Sequence, residues 1–189
     1  LPALDALLGG GLEKGTSTLF VGAPGTGKSS VAVQFAIAAA QRGECAALFI
    51  FDESVNTLRT RCAGLGMDLE PYLASGHLRI KQVDPAELSP CELVHEIRLA
   101  VTQHAAKVVV IDSLNGYLNA MPDERFLTIQ LHELLMYLGQ RGVATMLIVR
   151  LVPRPQVAVY AYVAVAANLV MLVMFARLVG AFTAARSAP

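Results

Sequence analysis

Eight consecutive residues of the chain carry the clearest chemical signal. They fit the pattern G-x-x-x-x-G-K-[ST] at every position: Gly22, Ala23, Pro24, Gly25, Thr26, Gly27, Lys28 and Ser29. In such a loop the glycines let backbone N–H groups turn toward phosphate oxygens, and the following helix adds the positive end of its dipole. The lysine reaches the β- and γ-phosphates, and the last hydroxyl binds Mg²⁺. We therefore predict a nucleotide-phosphate site here, and we include the next residue, Ser30, in it.

A carboxylate is the expected second half of such a magnesium site. Asp112 follows four apolar residues, 108–111, and would stand at the carboxyl edge of a parallel strand, where ligands bind. We predict that Asp112 holds Mg²⁺ through water, beside Ser29. A hydrophobic run that ends in aspartate is a weak signal alone, but a phosphate loop earlier in the chain makes a role in magnesium binding the favoured interpretation.

Two more acids, Asp52 and Glu53, directly follow the strand-like run 46–51. A carboxylate at this position could take a proton from the attacking water as general base. Alternatively, one or both acids cap the helix that begins near Ser54, because acidic side chains favour the first helical turn. We predict Glu53 as the base and Asp52 as a helper or substitute, with Lys28 as the third catalytic residue.

Alternating strand and helix patterns must position these residues. Short apolar runs predict strands at 16–21, 46–51, 78–83, 108–111 and 144–149. Helical patterns lie between them, at 30–42, at 55–64, from a capping Ser89 onward and at 125–141. Strands that are apolar on both faces indicate a parallel sheet covered by helices on both sides. The predicted fold class is therefore α/β.

The composition divides the chain into two unlike parts. The 189 residues contain 15 acidic and 15 basic side chains, and 54% of the residues are hydrophobic. All the acids lie in residues 1–150, whereas residues 151–189 contain Arg154, Arg177 and Arg186 and no acid. The balanced net charge disfavours a basic domain that coats nucleic acid. The three cysteines form no C-x-x-C pair, which predicts a reducing, cytoplasmic location.

The last forty residues are unusually apolar. Residues 157–176 have Asn168 as their one strongly polar side chain. Their length meets the requirement of a transmembrane helix. We favour two buried strands instead, at 157–165 and 169–175, because the first is rich in β-branched and aromatic residues. We accordingly predict a nucleotide-binding core at 1–149 and an atypical segment at 150–189.

The motifs of residues 1–149 resemble those of RecA/KaiC-type ATPases, most closely the KaiC-like group. The similar stretches are Leu4 to Leu12 with Gly15, the phosphate loop, Phe51-Asp52-Glu53-Ser54, Arg61 with Gly66-x-Asp68-Leu69, and Val109 to Ser113. The resemblance implies a RecA-like P-loop fold in which the strand at 144–149 separates the loop strand from the Asp112 strand. It also implies ATP and Mg²⁺ as cofactors, slow ATP hydrolysis, hexameric rings with nucleotide between subunits and, in some members, self-phosphorylation on Ser or Thr.

The chain departs from this family pattern toward its C-terminal end. Members usually have a polar residue just after the strand at 144–149, where this chain has Arg150. They also carry a later Lys-x-Arg pair that reaches a neighbour's γ-phosphate, whereas this chain has no lysine after Lys107. These departures bear on hydrolysis more than on binding. A non-hydrolysing nucleotide-binding assembly or signalling module is therefore the first alternative to an ATPase.

A recombinase-like DNA-dependent ATPase is the second alternative. It requires basic loops after Asp112, and residues 113–123 contain no lysine or arginine. Four basic side chains could form a nucleic-acid or ring-contact patch: Arg59, Arg61, Arg79 and Lys81. A solvated face is the simpler interpretation of such charges. The sequence thus predicts a homo-oligomeric ATPase without a nucleic-acid partner, and a membrane contact only if residues 157–176 span a bilayer.

Overall fold

The computed structural model describes residues 2–84, 86–118 and 124–151. Their centre is a five-stranded parallel sheet. Its strands are β1 Ser17–Gly22, β2 Cys45–Ile50, β3 Leu78–Gln82, β4 Ala106–Asp112 and β5 Ala144–Arg150. The order across the sheet is β1-β5-β4-β2-β3. Strand β5 therefore separates the loop strand from the Asp112 strand, as the resemblance implies, and the predicted α/β class is confirmed.

Helices connect these strands in the described part of the chain. They are α1 Pro2–Leu7, α2 Lys28–Gln41, α3 Val55–Gly64, α4 Glu70–Ala74, α5 Pro90–Thr102, α6 Leu114–Leu118 and α7 Glu124–Gln140. Helices α1, α4 and α6 are absent from the sequence prediction because each has six residues or fewer, too few to establish a helical period. Helix α2 begins at Lys28 rather than at the predicted residue 30, so Lys28 and Ser29 belong to its first turn.

The helices cover the sheet on both sides. Successive side chains of a strand point to opposite faces, so each central strand contributes to two cores. On one side, a cluster of buried residues joins α2 to β2, β4 and β5, and it includes Ala32, Ala36, Leu48, Val110 and Ile148. On the other side, α5 and α7 pack against β4, β5 and each other. The middle strands are therefore apolar along almost their whole length, as the parallel arrangement requires.

The alanine-rich sequence of α2 lets this helix pack closely on the sheet, which fixes the end of the loop before it. Ala32, Ala36 and Ala39 are fully buried against the sheet. Small side chains on this face let the helix lie close to the strands in a tightly packed interior. The short connection from β1 into α2 is therefore anchored at both ends.

The start of α5 agrees with its sequence signature. The Ser89 hydroxyl accepts a hydrogen bond from the Glu92 N–H at 3.3 Å, and the Glu92 carboxylate accepts one from the Ser89 N–H at 2.8 Å. This reciprocal pair is a capping box, and it satisfies N–H groups that have no partner inside the helix. The capping Ser89 predicted from the sequence is thus confirmed.

Residues 152–189 lie outside the described residues, and both structural predictions for that segment lie there with them. The boundary between 149 and 150 stays a prediction, and β5 itself runs to Arg150. Within the described ranges, no helix combines the length and the hydrophobicity that crossing a bilayer requires.

Candidate active site

The phosphate loop connects β1 to α2 and owes its shape to glycines. Gly25 has φ of 80° and Gly27 has φ of 86°, in the left-handed region where side chains with a Cβ are strained. Gly27 is also the residue that caps α2. The loop therefore wraps in front of the helix N-terminus, where free N–H groups and the helix dipole favour an anion.

Lys28 lies over the loop from the first turn of α2. Its Nζ donates hydrogen bonds to the carbonyl oxygens of Gly22 at 2.9 Å and Ala23 at 2.7 Å, and to the Thr26 hydroxyl at 3.2 Å. Burial and, next, the charge of Arg150 lower the pKa of the Lys28 amine, while Asp112 opposes both effects. The positive charges of Lys28 and Arg150 therefore lie close enough to repel each other, and an anion between them would relieve that repulsion.

Asp112 ends β4 next to the first turn of α2. Its carboxylate is only 6% exposed and accepts a hydrogen bond from the Ser29 hydroxyl. Burial raises the pKa of Asp112, and the Ser29 hydrogen bond and then the Arg150 charge partly offset that increase. The Oδ1 atom is buried without a hydrogen-bond partner among the described residues. A bare carboxylate oxygen beside a hydroxyl is a donor set that suits a hard divalent cation such as Mg²⁺.

Glu53 follows β2 and forms an ion pair with Arg61 on α3. Arg61 Nη2 lies 2.5 Å from Glu53 Oε1, and Arg61 Nη1 donates a 3.0 Å hydrogen bond to the Ser30 hydroxyl. One guanidinium thus joins Glu53 to the phosphate-loop helix. Neither neighbouring acid caps α3, because the hydroxyl of Ser54 accepts the N–H of Thr57 at 3.1 Å.

Asp52 has different partners from Glu53. Its Oδ2 accepts a 2.6 Å hydrogen bond from the buried Ser113 hydroxyl and lies 3.5 Å from Arg150 Nη2. Arg150, at the end of β5, is itself held by Asn115. The Asn115 Oδ1 accepts the Arg150 N–H at 2.8 Å, and its Nδ2 donates to the Arg150 carbonyl at 3.1 Å. The carboxyl ends of β2, β4 and β5 are therefore linked through side chains.

A cavity of about 300 Å³ lies between the loop and these strand ends. Its lining residues are Pro24, Gly25, Thr26, Gly27, Lys28, Ser29, Ser30, Glu53, Arg61 and Arg150. The structure thus brings Glu53 and most of the loop to one cavity. The other predicted site residues do not line the cavity but interact with residues that do. Gly22 and Ala23 interact with Lys28, Asp112 with Ser29, and Asp52 with Arg150.

Four residues of this arrangement were not predicted as site residues: Arg61, Ser113, Asn115 and Arg150. Arg61 carries a sequence signal, since it belongs to the stretch that resembles the family, but there it also fits a solvated basic patch. Arg150 differs from the family pattern, and nothing in the sequence shows that it lies beside Lys28. Strand order decides that proximity, because Arg150 pairs with Gly22 in the register between β1 and β5.

Comparisons with known proteins agree with this fold. A family model described as ATPase: KaiC matches residues 1–167. The circadian clock protein KaiC3 of Synechocystis is 28% identical over 156 residues, which are 78% of this chain and 31% of the relative. The UPF0273 protein MK0039 of Methanopyrus kandleri is 29% identical over 157 residues, which are 74% of this chain and 62% of the relative.

A solved structure shows the same fold. The crystal structure of a KaiC-like protein from Pyrococcus horikoshii superposes with a TM-score of 0.69 and 30% identity, and it covers 79% of this chain and 69% of that chain. This chain spans about a third or less of the clock proteins that it matches, 31% of the Synechocystis KaiC3 and 24% of the Thermosynechococcus vestitus KaiC. The family model nevertheless covers most of the chain, and the chain belongs to the KaiC ATPase family.

Proposed function

We propose that this chain binds ATP together with Mg²⁺ in the cavity behind residues 22–30 and hydrolyses it to ADP and phosphate. One observation carries the proposal. The phosphate loop, with Lys28 over it, opens onto the same cavity as Glu53 and stands beside Asp112, whose buried Oδ1 has no hydrogen-bond partner among the described residues. The groups proposed to bind phosphate, to hold the metal and to accept the proton thus lie next to one another.

The loop binds the phosphates. Its backbone N–H groups hold phosphate oxygens at the N-terminus of α2, and the Lys28 amine exchanges its loop carbonyl partners for the β- and γ-phosphates. In the described structure those partners are the carbonyls of Gly22 and Ala23. They keep the amine within the loop, so a short movement is enough to reach a ligand. The proposed phosphate-binding residues are Gly22, Ala23, Pro24, Gly25, Thr26, Gly27, Lys28, Ser29 and Ser30.

Ser29 and Asp112 would hold Mg²⁺. When bound, the cation neutralises charge on the β- and γ-phosphates. No group of three or more His, Cys, Asp or Glu side chains that could hold a metal occurs in the described ranges, so phosphate oxygens and water would complete the coordination. A cation beside Asp112 also favours the ionised carboxylate, against the burial that raises the pKa of Asp112.

Glu53 is the proposed general base. Its carboxylate lines the cavity, whereas Asp52 is not among the lining residues. As the water oxygen bonds to the γ-phosphorus, Glu53 accepts the water proton and the bond to the ADP oxygen breaks. Arg61 acts as a positioning residue, because it holds the Glu53 carboxylate from α3 and the Ser30 hydroxyl from α2.

The proposal also includes how the chain assembles. We propose that the chain acts within a homo-oligomer, a hexameric ring by family resemblance. A non-hydrolysing nucleotide-binding module is the alternative, and phosphate release distinguishes it from an ATPase. Self-phosphorylation stays a prediction by resemblance, without an assigned acceptor residue.

Nucleotide binding and phosphate release test the proposal on the intact chain. We expect MgATP binding by calorimetry in the wild type and loss of at least about 100-fold in affinity in Lys28→Ala, because charge-assisted contacts to several phosphate oxygens are removed. Arg42→Ala is the matched control, since Arg42 ends α2 far from the loop and pairs with Glu44 at the surface. Absence of MgATP binding by the wild type contradicts the proposal, and binding without phosphate release favours the non-hydrolysing module.

A further inference from the structure

Arg150 lines the cavity from the end of β5, whereas the phosphate loop follows β1. It is the last residue of β5 and pairs with Gly22, the first residue of the loop. The Leu151 N–H donates to the Gly22 carbonyl at 3.0 Å, and the Asn115 side chain holds both the N–H and the carbonyl of Arg150. Its backbone is therefore fixed against the loop, while its side chain extends into the cavity.

The two arginines of the cavity are bound to different degrees. The Arg61 guanidinium makes three hydrogen bonds, two to Glu53 and one to Ser30. The Arg150 guanidinium lies 3.5 Å from Asp52 Oδ2, an oxygen that already accepts the Ser113 hydroxyl at 2.6 Å. Arg150 is thus the more weakly held of the two and the easier one to transfer to a ligand anion.

The charges around Arg150 indicate which part of a nucleotide it would meet. Its charge adds to the burial that lowers the pKa of the Lys28 amine, and it partly offsets the burial that raises the pKa of the Asp112 carboxyl group. Those groups converge on the terminal phosphates and the metal in the proposed function. Arg150 also lies 3.5 Å from Asp52, the neighbour of the proposed base Glu53, so it stands at the end of the cavity that the γ-phosphate would occupy.

We propose that Arg150 is a specificity-determining residue whose guanidinium leaves Asp52 and binds the terminal phosphate of ATP, so that the site prefers triphosphate to diphosphate. This inference rests on the proposed function. A planar guanidinium presents paired N–H donors that match two phosphate oxygens, which gives it a geometric selectivity that an ammonium lacks. The discriminating cation comes from the same subunit as the loop, on the strand next to β1.

The test compares the affinity for Mg²⁺–ADP with that for a non-hydrolysable Mg²⁺–ATP analogue. In Arg150→Ala we expect the preference for the triphosphate to fall roughly tenfold or more, the scale of a lost hydrogen bond to a charged group, with ADP affinity within about twofold of wild type. Arg150→Lys should recover part of the preference, because it keeps the charge without the planar fork. Arg42→Ala, a surface control, should leave both affinities unchanged.

A second variant separates a positional effect from a folding effect. Asn115→Ala releases the backbone of Arg150 and should reduce the triphosphate preference in the same direction but by a smaller factor, while thermal unfolding confirms that each variant is folded. An unchanged preference in Arg150→Ala, or an equal loss for both nucleotides, overturns the role of Arg150 and leaves the proposed function intact. A wild type that binds neither nucleotide overturns the proposed function and, with it, this inference.

Discussion

The two sides of the nucleotide cavity are built in different ways. The loop side, residues 22–30, is shaped by backbone conformation, with left-handed glycines at Gly25 and Gly27 and a lysine bonded to carbonyls of the same loop. The acid side, formed by the ends of β2, β4 and β5 with α3 and α6, is shaped by side-chain pairs between distant segments. Glu53 pairs with Arg61, and Asp52 pairs with Ser113 and Arg150.

This difference separates binding from turnover. In the proposed function, phosphate binding depends on nine consecutive residues and, for the terminal phosphate, on Arg150, so it should tolerate changes at Glu53 and Arg61. Turnover depends on where side chains of separate elements place a carboxylate, and small displacements of a catalytic group are costly. Changes at Glu53 and Arg61 should therefore lower turnover while nucleotide affinity is kept, and changes on the loop side should lower affinity first.

The largest expected effect on the acid side comes from Glu53→Gln. The amide keeps the shape of the side chain but cannot accept the water proton, so turnover should fall roughly 100-fold or more. MgATP affinity should stay within about twofold of wild type. Phosphate release at saturating MgATP measures the first quantity, and calorimetry measures the second. Asp52→Asn is the companion variant: a larger loss there than in Glu53→Gln would assign the base to Asp52 instead.

Gly116→Ala should disturb the support of the acid side. A Cβ at Gly116 would lie 2.5 Å from the Cβ of Phe51, the residue before Asp52, so α6 or the end of β2 must shift. Overpacking of this kind costs about 1–3 kcal/mol in the free energy of unfolding, which chemical denaturation measures. Gly64→Ala is the matched control, because an added Cβ there meets nothing within 4 Å. Equal stability of the two variants would contradict the close contact.

Arg61→Ala should produce a smaller loss of turnover. Without the guanidinium the Glu53 carboxylate keeps its chemistry but loses its positioning partner, and we expect turnover to fall by roughly tenfold or less. Partial rescue in Arg61→Lys and unchanged ADP affinity would separate positioning from a general structural effect. A loss of ADP affinity as large as the loss of turnover would show that Arg61 contributes to nucleotide binding instead.

Asp112→Asn should change folding stability by the smallest amount, and it should be stabilising rather than destabilising. Burial raises the pKa of Asp112 above its ordinary value of 3.8, so the folded state binds this proton more tightly than the unfolded state does. The contribution of Asp112 to folding stability therefore falls as the pH rises from that value through the folded-state pKa. The nucleotide-free variant should therefore unfold at a higher temperature than wild type at neutral pH.

The two proteins should converge in acid, where Asp112 is protonated in both the folded and the unfolded states. Thermal unfolding across this pH range measures the difference. A variant that is less stable than wild type at neutral pH would show that the buried charge is already well compensated. Turnover should fall in the same variant despite its greater stability, because the carboxylate that would hold Mg²⁺ is gone.

The fold and the loop side could be predicted to a large extent from the sequence. Periodicity places all five strands within two residues of their observed ends. The loop can be recognised because its fixed positions require glycine for backbone shape, and lysine and serine or threonine for phosphate and Mg²⁺. The position of β5 between β1 and β4 was predicted from family resemblance, because periodicity does not show how strands are arranged. The short helix α6 was not predicted, because its five residues make about one and a half turns and form no repeating pattern.

The acid side was predicted only in part. Asp52, Glu53 and Asp112 were found because each follows an apolar strand, but their partners were not. Asp52 and Ser113 are 61 residues apart in sequence, and only the adjacency of β2 and β4 brings them together. The position of Arg150 beside the phosphate loop has the same origin, since β5 lies between β1 and β4. Partners that depend on sheet order become visible only in three dimensions.

One paired measurement tests the division of labour most directly. MgATP affinity and phosphate release should be determined on the same preparations of Lys28→Ala and Glu53→Gln, with the wild type and Arg42→Ala alongside. We expect Lys28→Ala to lose affinity and Glu53→Gln to keep wild-type affinity while losing turnover. Loss of affinity in both variants, or wild-type turnover in Glu53→Gln, would contradict the separation between a loop side that binds and an acid side that turns ATP over.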